Sequence, residues 1–105
     1  MVKRDARLNK IIINFLEEIQ KKFKLDDAYL YGSFAKGTSN KWSDIDIAIV
    51  SSDFSGDLFE DRLILMRMAS SIDDRIEPKP YTRELFNADD PLVDEIQKHG
   101  IRLIQ

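Results

Sequence analysis

Between Arg4 and Lys24 the residues Leu8, Ile11, Ile12, Phe15, Leu16, Ile19 and Phe23 recur three and four positions apart, with Lys, Glu and Gln among them. This spacing lays the apolar side chains along one stripe of a helix and predicts an amphipathic helix packed on a core. Ala28-Tyr29-Leu30-Tyr31 is short, rich in aromatic residues and halted by Gly32, which predicts a strand running into a turn. A short helix is expected from about Ser33, then a polar loop from Gly37 to Ser43. Beyond it Ile45, Ile47 and Ile49 alternate with Asp44, Asp46 and Ala48, the two-residue period of a strand with one buried face.

A second helix is predicted from about Asp57 to Ser71, through Leu58, Phe59, Leu63, Leu65, Met66 and Ala69. Its acidic first turn suits the positive end of the helix dipole. Arg75 to Lys79 reads as another strand. Pro78 and Pro80 cannot donate ladder hydrogen bonds, so the end of that strand is expected at an edge or a bulge. Asp90-Pro91 opens a last helix through Val93 and Ile96, with Gly100 expected as a left-handed cap and Ile101 to Ile104 as a closing strand. Alternating helices and strands without a repeat or a low-complexity linker predict one α/β (α+β) domain over residues 1–105.

A chain of 105 residues has room for one hydrophobic core and not for two. With 16 Lys plus Arg against 19 Asp plus Glu, the net charge is -3; no positive field attracts nucleic acid, which is not expected as a partner. Cysteine is absent, which excludes disulfides, thiolate metal sites and cysteine nucleophiles, and agrees with a reducing compartment. No apolar run is long enough to span a membrane, and the N-terminus lacks the core of a signal peptide. The expected location is the cytoplasm.

Two features carry candidate chemistry. Gly32-Ser33 follows a predicted strand, where backbone amides at the start of a helix can cradle a phosphate and glycine allows close approach. A plain turn with a helix cap is the alternative for that pair. Asp44 and Asp46, two apart on a strand, leave the same face about 6.6 Å apart at ~3.3 Å rise per residue. Facing carboxylates repel unless a cation lies between them, and magnesium favours carboxylates together with substrate phosphates. The alternative is the solvated face of an amphipathic strand, although aspartate is depleted in strands.

Gly32-Ser33, ten intervening residues and Asp44-Ile45-Asp46 together resemble the signature of the minimal nucleotidyltransferases in the DNA polymerase beta superfamily. The leading helix, the helix after the aspartate strand, and a terminal helix ending in Lys98-His99-Gly100 are also similar to that family. The resemblance implies a small mixed sheet with helices packed mainly on one face. It also implies two magnesium ions held by Asp44, Asp46 and a third acid on a later strand, with Glu77 as the candidate and Asp73 and Asp74 as substitutes. Glu77 departs from the family's commoner aspartate, and metal ligand, general base and plain exposed edge-strand glutamate are the alternatives for it.

By the same resemblance Gly32, Ser33, Lys36 and Ser43 bind the nucleotide, expected to be ATP, although nothing in these residues reads the base. A solvated lysine is the alternative for Lys36, and a strand cap for Ser43. Trp42 either shields the base or, as the expected role, covers the edge of the core. His99 is not expected to be catalytic, since a cationic side chain at a helix C-terminus is favoured by the dipole alone. Met66 and Met68 are read as core or partner contacts.

The implied reaction moves a nucleoside monophosphate to a hydroxyl and releases pyrophosphate. The implied partner is an all-helical toxin of the HEPN class, modified on a tyrosine or restrained by binding alone. Transfer to a small molecule of the aminoglycoside type ranks lower, and self-association is left open.

Overall fold

The computed structural model describes residues 5–104. Asp5 accepts a hydrogen bond from the Leu8 amide at 2.8 Å and caps α1, Ala6–Gln20. The helix buries Leu8, Ile12, Phe15, Leu16 and Ile19. Phe23 continues the apolar stripe from a turn beyond the helix, where its amide bonds to the Ile19 carbonyl at 2.8 Å. The chain then forms β1 (Asp27–Tyr31), α2 (Ser33–Lys36), β2 (Ile45–Val50), α3 (Leu58–Ser70), β3 (Ile76–Tyr81), α4 (Arg83–Phe86), α5 (Pro91–His99) and β4 (Ile101–Arg102).

The four strands make one mixed sheet in the order β3-β2-β1-β4. β1 runs antiparallel to β2 and β4, and β2 runs parallel to β3. Strand alternation divides the core. Ile45, Ile47, Ile49, Leu30 and Ile76 point to the face covered by the longer helices, joining Ile12, Phe15 and Ile19 of α1 and Leu65 and Ala69 of α3. On the other face Ala48, Val50 and Tyr81 meet Phe86 and the α5 residues Val93 and Ile96. This second cluster covers only part of that face, and Asp46 and Glu77 lie on the same face beyond it, half-buried.

β3 is the edge strand foreseen from its prolines, and it runs on to Tyr81. The carbonyls of Arg75 and Tyr81 accept from the Ile45 and Ser51 amides at 2.7 and 3.0 Å. By strand alternation the odd-numbered backbone groups of β3 therefore face β2. Pro78 and Pro80 fall at outward positions, where no donor is needed.

Two local expectations are corrected. Gly100 is extended, with φ -73° and ψ 162°, and is not a left-handed cap. Glycine is required there because a methyl group would run into the Ile96 carbonyl and meet the Leu30 carbonyl at 3.2 Å, where α5 turns back onto β1. The apolar residues of α3 do not share one face: Leu65 and Ala69 are buried with Asp61, while Leu58, Phe59, Leu63 and Met66 are exposed. Asp61 is 2% exposed, and its Oδ1 accepts from the Ser55 hydroxyl at 2.9 Å and amide at 3.2 Å. It thus ties the β2–α3 loop to the helix. No helix among the described residues is long and apolar enough to cross a membrane.

Candidate active site

β1 ends at Tyr31, and Gly32 turns the chain with φ 74° and ψ -150°, a region that side-chain-bearing residues rarely enter. A methyl group at Gly32 would collide with the Asp46 carboxylate. The glycine therefore lets an acidic side chain lie directly against the backbone. α2 follows as a single turn, closed by Gly37 in the left-handed conformation (φ 77°, ψ 16°) and anchored by Phe34 against the core. The Ser33 hydroxyl makes no hydrogen bond among the described residues.

The sheet register brings the acids together. Asp46 has Tyr31 as its partner on β1 and Glu77 as its partner on β3. Asp44, exposed just before β2, lies near enough to act on Asp46 electrostatically. Burial raises the Asp46 pKa, and the charges of Asp44 and Glu77 raise it further. An ionised Asp46 is thus held among like charges. Tyr31 is also pushed up, first by burial and then by Asp46, so it remains a neutral hydroxyl.

Asp46 and Glu77 open into a hollow of about 220 Å³ shared with Tyr31, Arg62, Pro78 and Lys79. Glu77 Oε2 accepts from Arg62 Nη2 at 3.0 Å. On the other side of Tyr31 a second hollow of about 180 Å³ is lined by Gly32, Lys36, Leu92, Glu95 and His99. The phosphate-cradle candidates and the acids thus adjoin through Tyr31.

Other residues singled out in the sequence have local partners. Lys36 pairs with Glu95 of α5 at 3.1 Å. Ser43 Oγ accepts from the Asn40 amide at 2.9 Å and closes the loop before β2. That turn projects Trp42 outward, 80% exposed with the Lys41 ammonium 4.9 Å from its ring, so it covers no core edge. Asp73 binds Arg75 through the amide at 2.8 Å and the guanidinium at 3.1 Å, which lowers its pKa and leaves it outside the acidic hollow. Asp74 is exposed in the same turn.

Sequence reasoning missed Tyr31, Arg62 and Lys79 as neighbours of the acids. Lys79 follows Glu77 by two and therefore shares its strand face, a signal present in the sequence. Arg62 has no such signal, because only the packing of α3 on β3 brings it to Glu77.

Among the described residues no three metal-ligating side chains are gathered tightly enough to hold one ion. The donor set nevertheless suits a hard divalent cation: oxygens only, with a crowded Asp46 whose ionised form positive charge would favour. Glu77 would join them beside Arg62, which holds its Oε2 at 3.0 Å.

A mixed sheet with Asp44 and Asp46 at the start of an inner strand, beside a glycine turn into a short helix, is the setting for the family match. The chain belongs to the nucleotidyltransferase domain family, whose profile matches residues 12–103. A protein from Sulfolobus solfataricus assigned to the nucleotidyltransferases is 26% identical, with 91% of this chain and 78% of that chain covered and a TM-score of 0.64. A toxin–antitoxin structure, MntA–HpeT, carrying two aspartate-to-glutamate substitutions two positions apart, matches at 27% identity over 91% and 72% of the two chains, TM-score 0.65. A second MntA–HpeT variant, with a tyrosine changed to alanine, matches at 28% identity over 95% and 73%, also with a TM-score of 0.65. No curated protein sequence matches.

Proposed function

We propose that this nucleotidyltransferase moves AMP from ATP, with magnesium, to a tyrosine hydroxyl of a helical HEPN-type toxin, and so acts as its antitoxin. The observation that carries the reading is Asp46, which lies against Gly32, has Glu77 as its cross-strand neighbour and feels the charge of Asp44. The likeness to MntA–HpeT chains supports the toxin–antitoxin setting. In the reaction the acceptor oxygen attacks the α-phosphorus, the bond to the bridging oxygen of pyrophosphate breaks, and the hydroxyl proton passes to solvent water. Asp44 and Asp46 would hold magnesium with Glu77 as the third acid, and the bound metal would supply charge neutralisation of the triphosphate and a lower pKa for the attacking hydroxyl.

Gly32 and Ser33 hold the outer phosphates, the free Ser33 hydroxyl serving as donor. Lys36, once released from Glu95, adds positive charge beside them. Ser43 acts through the loop it closes, which sets the approach to Asp44. Positioning and charge stabilisation are the protein's share of the catalysis.

The test is label transfer. With magnesium and ATP labelled at the α-phosphate, the wild type should label the partner and release pyrophosphate, while an Asp44→Asn, Asp46→Asn double variant should do neither. Equal labelling by both would overturn the reading.

A second reading, neutralisation of the toxin by binding alone, is favoured by the exposed apolar stripe of Phe59, Leu63 and Met66 on α3. It predicts that the aspartate double variant still protects against the toxin.

A further inference from the structure

The hollow that contains Asp46 and Glu77 also contains a guanidinium that the reaction above does not use. Arg62, near the start of α3, reaches over to β3 and donates from Nη2 to Glu77 Oε2 at 3.0 Å. Glu77 is the cross-strand neighbour of Asp46, and the charge of Asp44 reaches Asp46 as well. Three carboxylates therefore crowd one corner of the sheet, and Arg62 neutralises the outermost.

We propose that Arg62 is a displaceable counter-ion: it balances the charge of Glu77 through Oε2 in the absence of a divalent cation, yields that carboxylate when the cation binds, and then turns to the polyphosphate of the nucleotide.

The first leg follows from competition. Arg62 engages only Oε2 of Glu77, so a dication at the same carboxylate meets it through like-charge repulsion rather than through a shared lone pair. The pair is suited to exchange because it is weakly held. The two side chains are 51% and 37% exposed, and ion pairs of that exposure shift equilibria only by about two- to fivefold. Such a contact does not lock the helix to the strand.

The second leg follows from position and shape. Arg62 lines the acidic hollow together with Lys79 and Tyr31, so release from Glu77 leaves a planar donor fork beside the site. That fork matches phosphate oxygens bidentately, which a lysine does not. Metal binding and release of Arg62 are then linked reciprocally. The effect is selection: a triphosphate arriving with its cation is offered both a freed carboxylate and a freed guanidinium.

This inference rests on the nucleotidyl-transfer reading and assigns Arg62 a positioning role within it. Its test has two arms on the full chain. In the first, manganese binding without nucleotide is followed by the loss of the free-ion paramagnetic signal. In the second, binding of the α,β-methylene analogue of ATP is measured by calorimetry at saturating magnesium.

Arg62→Gln should tighten manganese by about two- to fivefold and weaken the analogue, a pair of opposite changes. Arg62→Lys should give smaller changes of the same signs. Adding Arg62→Gln to a Glu77→Gln variant should leave manganese affinity where Glu77→Gln alone puts it. Shifts of both ligands in one direction, as a merely structural arginine would produce, overturn the proposal. So does an unchanged manganese affinity in Arg62→Gln while the wild type still shows binding that Asp44→Asn, Asp46→Asn abolishes. A wild type without such aspartate-dependent binding would instead sink the site reading and this inference with it.

Discussion

At the scale of single residues, Gly32 and Asp46 depend on each other. Gly32 has torsions that side chains resist, and the Asp46 carboxylate occupies the space where a methyl group would go. Gly32→Ala is expected to cost about 1–3 kcal/mol in urea unfolding and to reduce transfer by pushing Asp46 aside; an unchanged midpoint would contradict this account. Asp46 carries a cost of its own. Burial, Asp44 and Glu77 raise its pKa above the ordinary 3.8, so the folded chain holds the proton more tightly than the unfolded one. The stability from that proton is present below the ordinary value and is lost as pH rises through the elevated one. Without divalent cations Asp46→Asn should therefore melt at a higher temperature than the wild type at pH 7, and the gap should close on acidification below about pH 4. Magnesium should raise the melting temperature of the wild type and not of the variant. The shared face of Asp44 and Asp46 was readable because two-residue spacing and strand alternation are local, whereas Glu77 was reached through the family resemblance. Arg62 was not, because its contact with Glu77 spans two elements.

At the scale of elements, β3 shows how parity decides what a proline does. Pro78 and Pro80 occupy outward positions, whereas Lys79 presents its backbone to β2. Lys79→Pro should cost about 1–3 kcal/mol by removing a ladder donor and leaving its acceptor on β2 unpaired, more than Pro80→Ala, which removes no donor and only trims a buried ring. Comparable losses in chemical denaturation would show the ladder to be misread. The major helices and strands were readable from periodicity, although β2, expected to bury one face, buries Ala48 and Val50 on its second face as well. α4 was not, since four residues contain scarcely one period. The role of Gly100 lay outside that reading, because what excludes a side chain is the carbonyl of Leu30 on a distant strand. The outward stripe of α3 looks like core in one dimension, and only the folded chain separates Leu65 and Ala69 from Phe59, Leu63 and Met66.

At the scale of the whole molecule, the sheet divides its labour between faces. One side is shielded by α1 and α3, while the other is only partly shielded by α4 and α5 and leaves the acidic corner accessible. The exposed stripe on α3 lies outside both cores, so its polar replacement tests association without disturbing packing. Phe59→Asp with Met66→Asp should leave the melting temperature within a few degrees and reduce the complex with the toxin partner proposed above in size-exclusion chromatography. An undiminished complex would move the docking surface elsewhere. The sheet's two rims also differ in what they offer a passing polypeptide. One rim lacks amide hydrogens at two successive outward sites, so an incoming extended peptide finds no continuous row of donors to zip against. Self-templated stacking into fibrils is thereby blocked on the β3 side, and only the short opposite rim remains to be guarded.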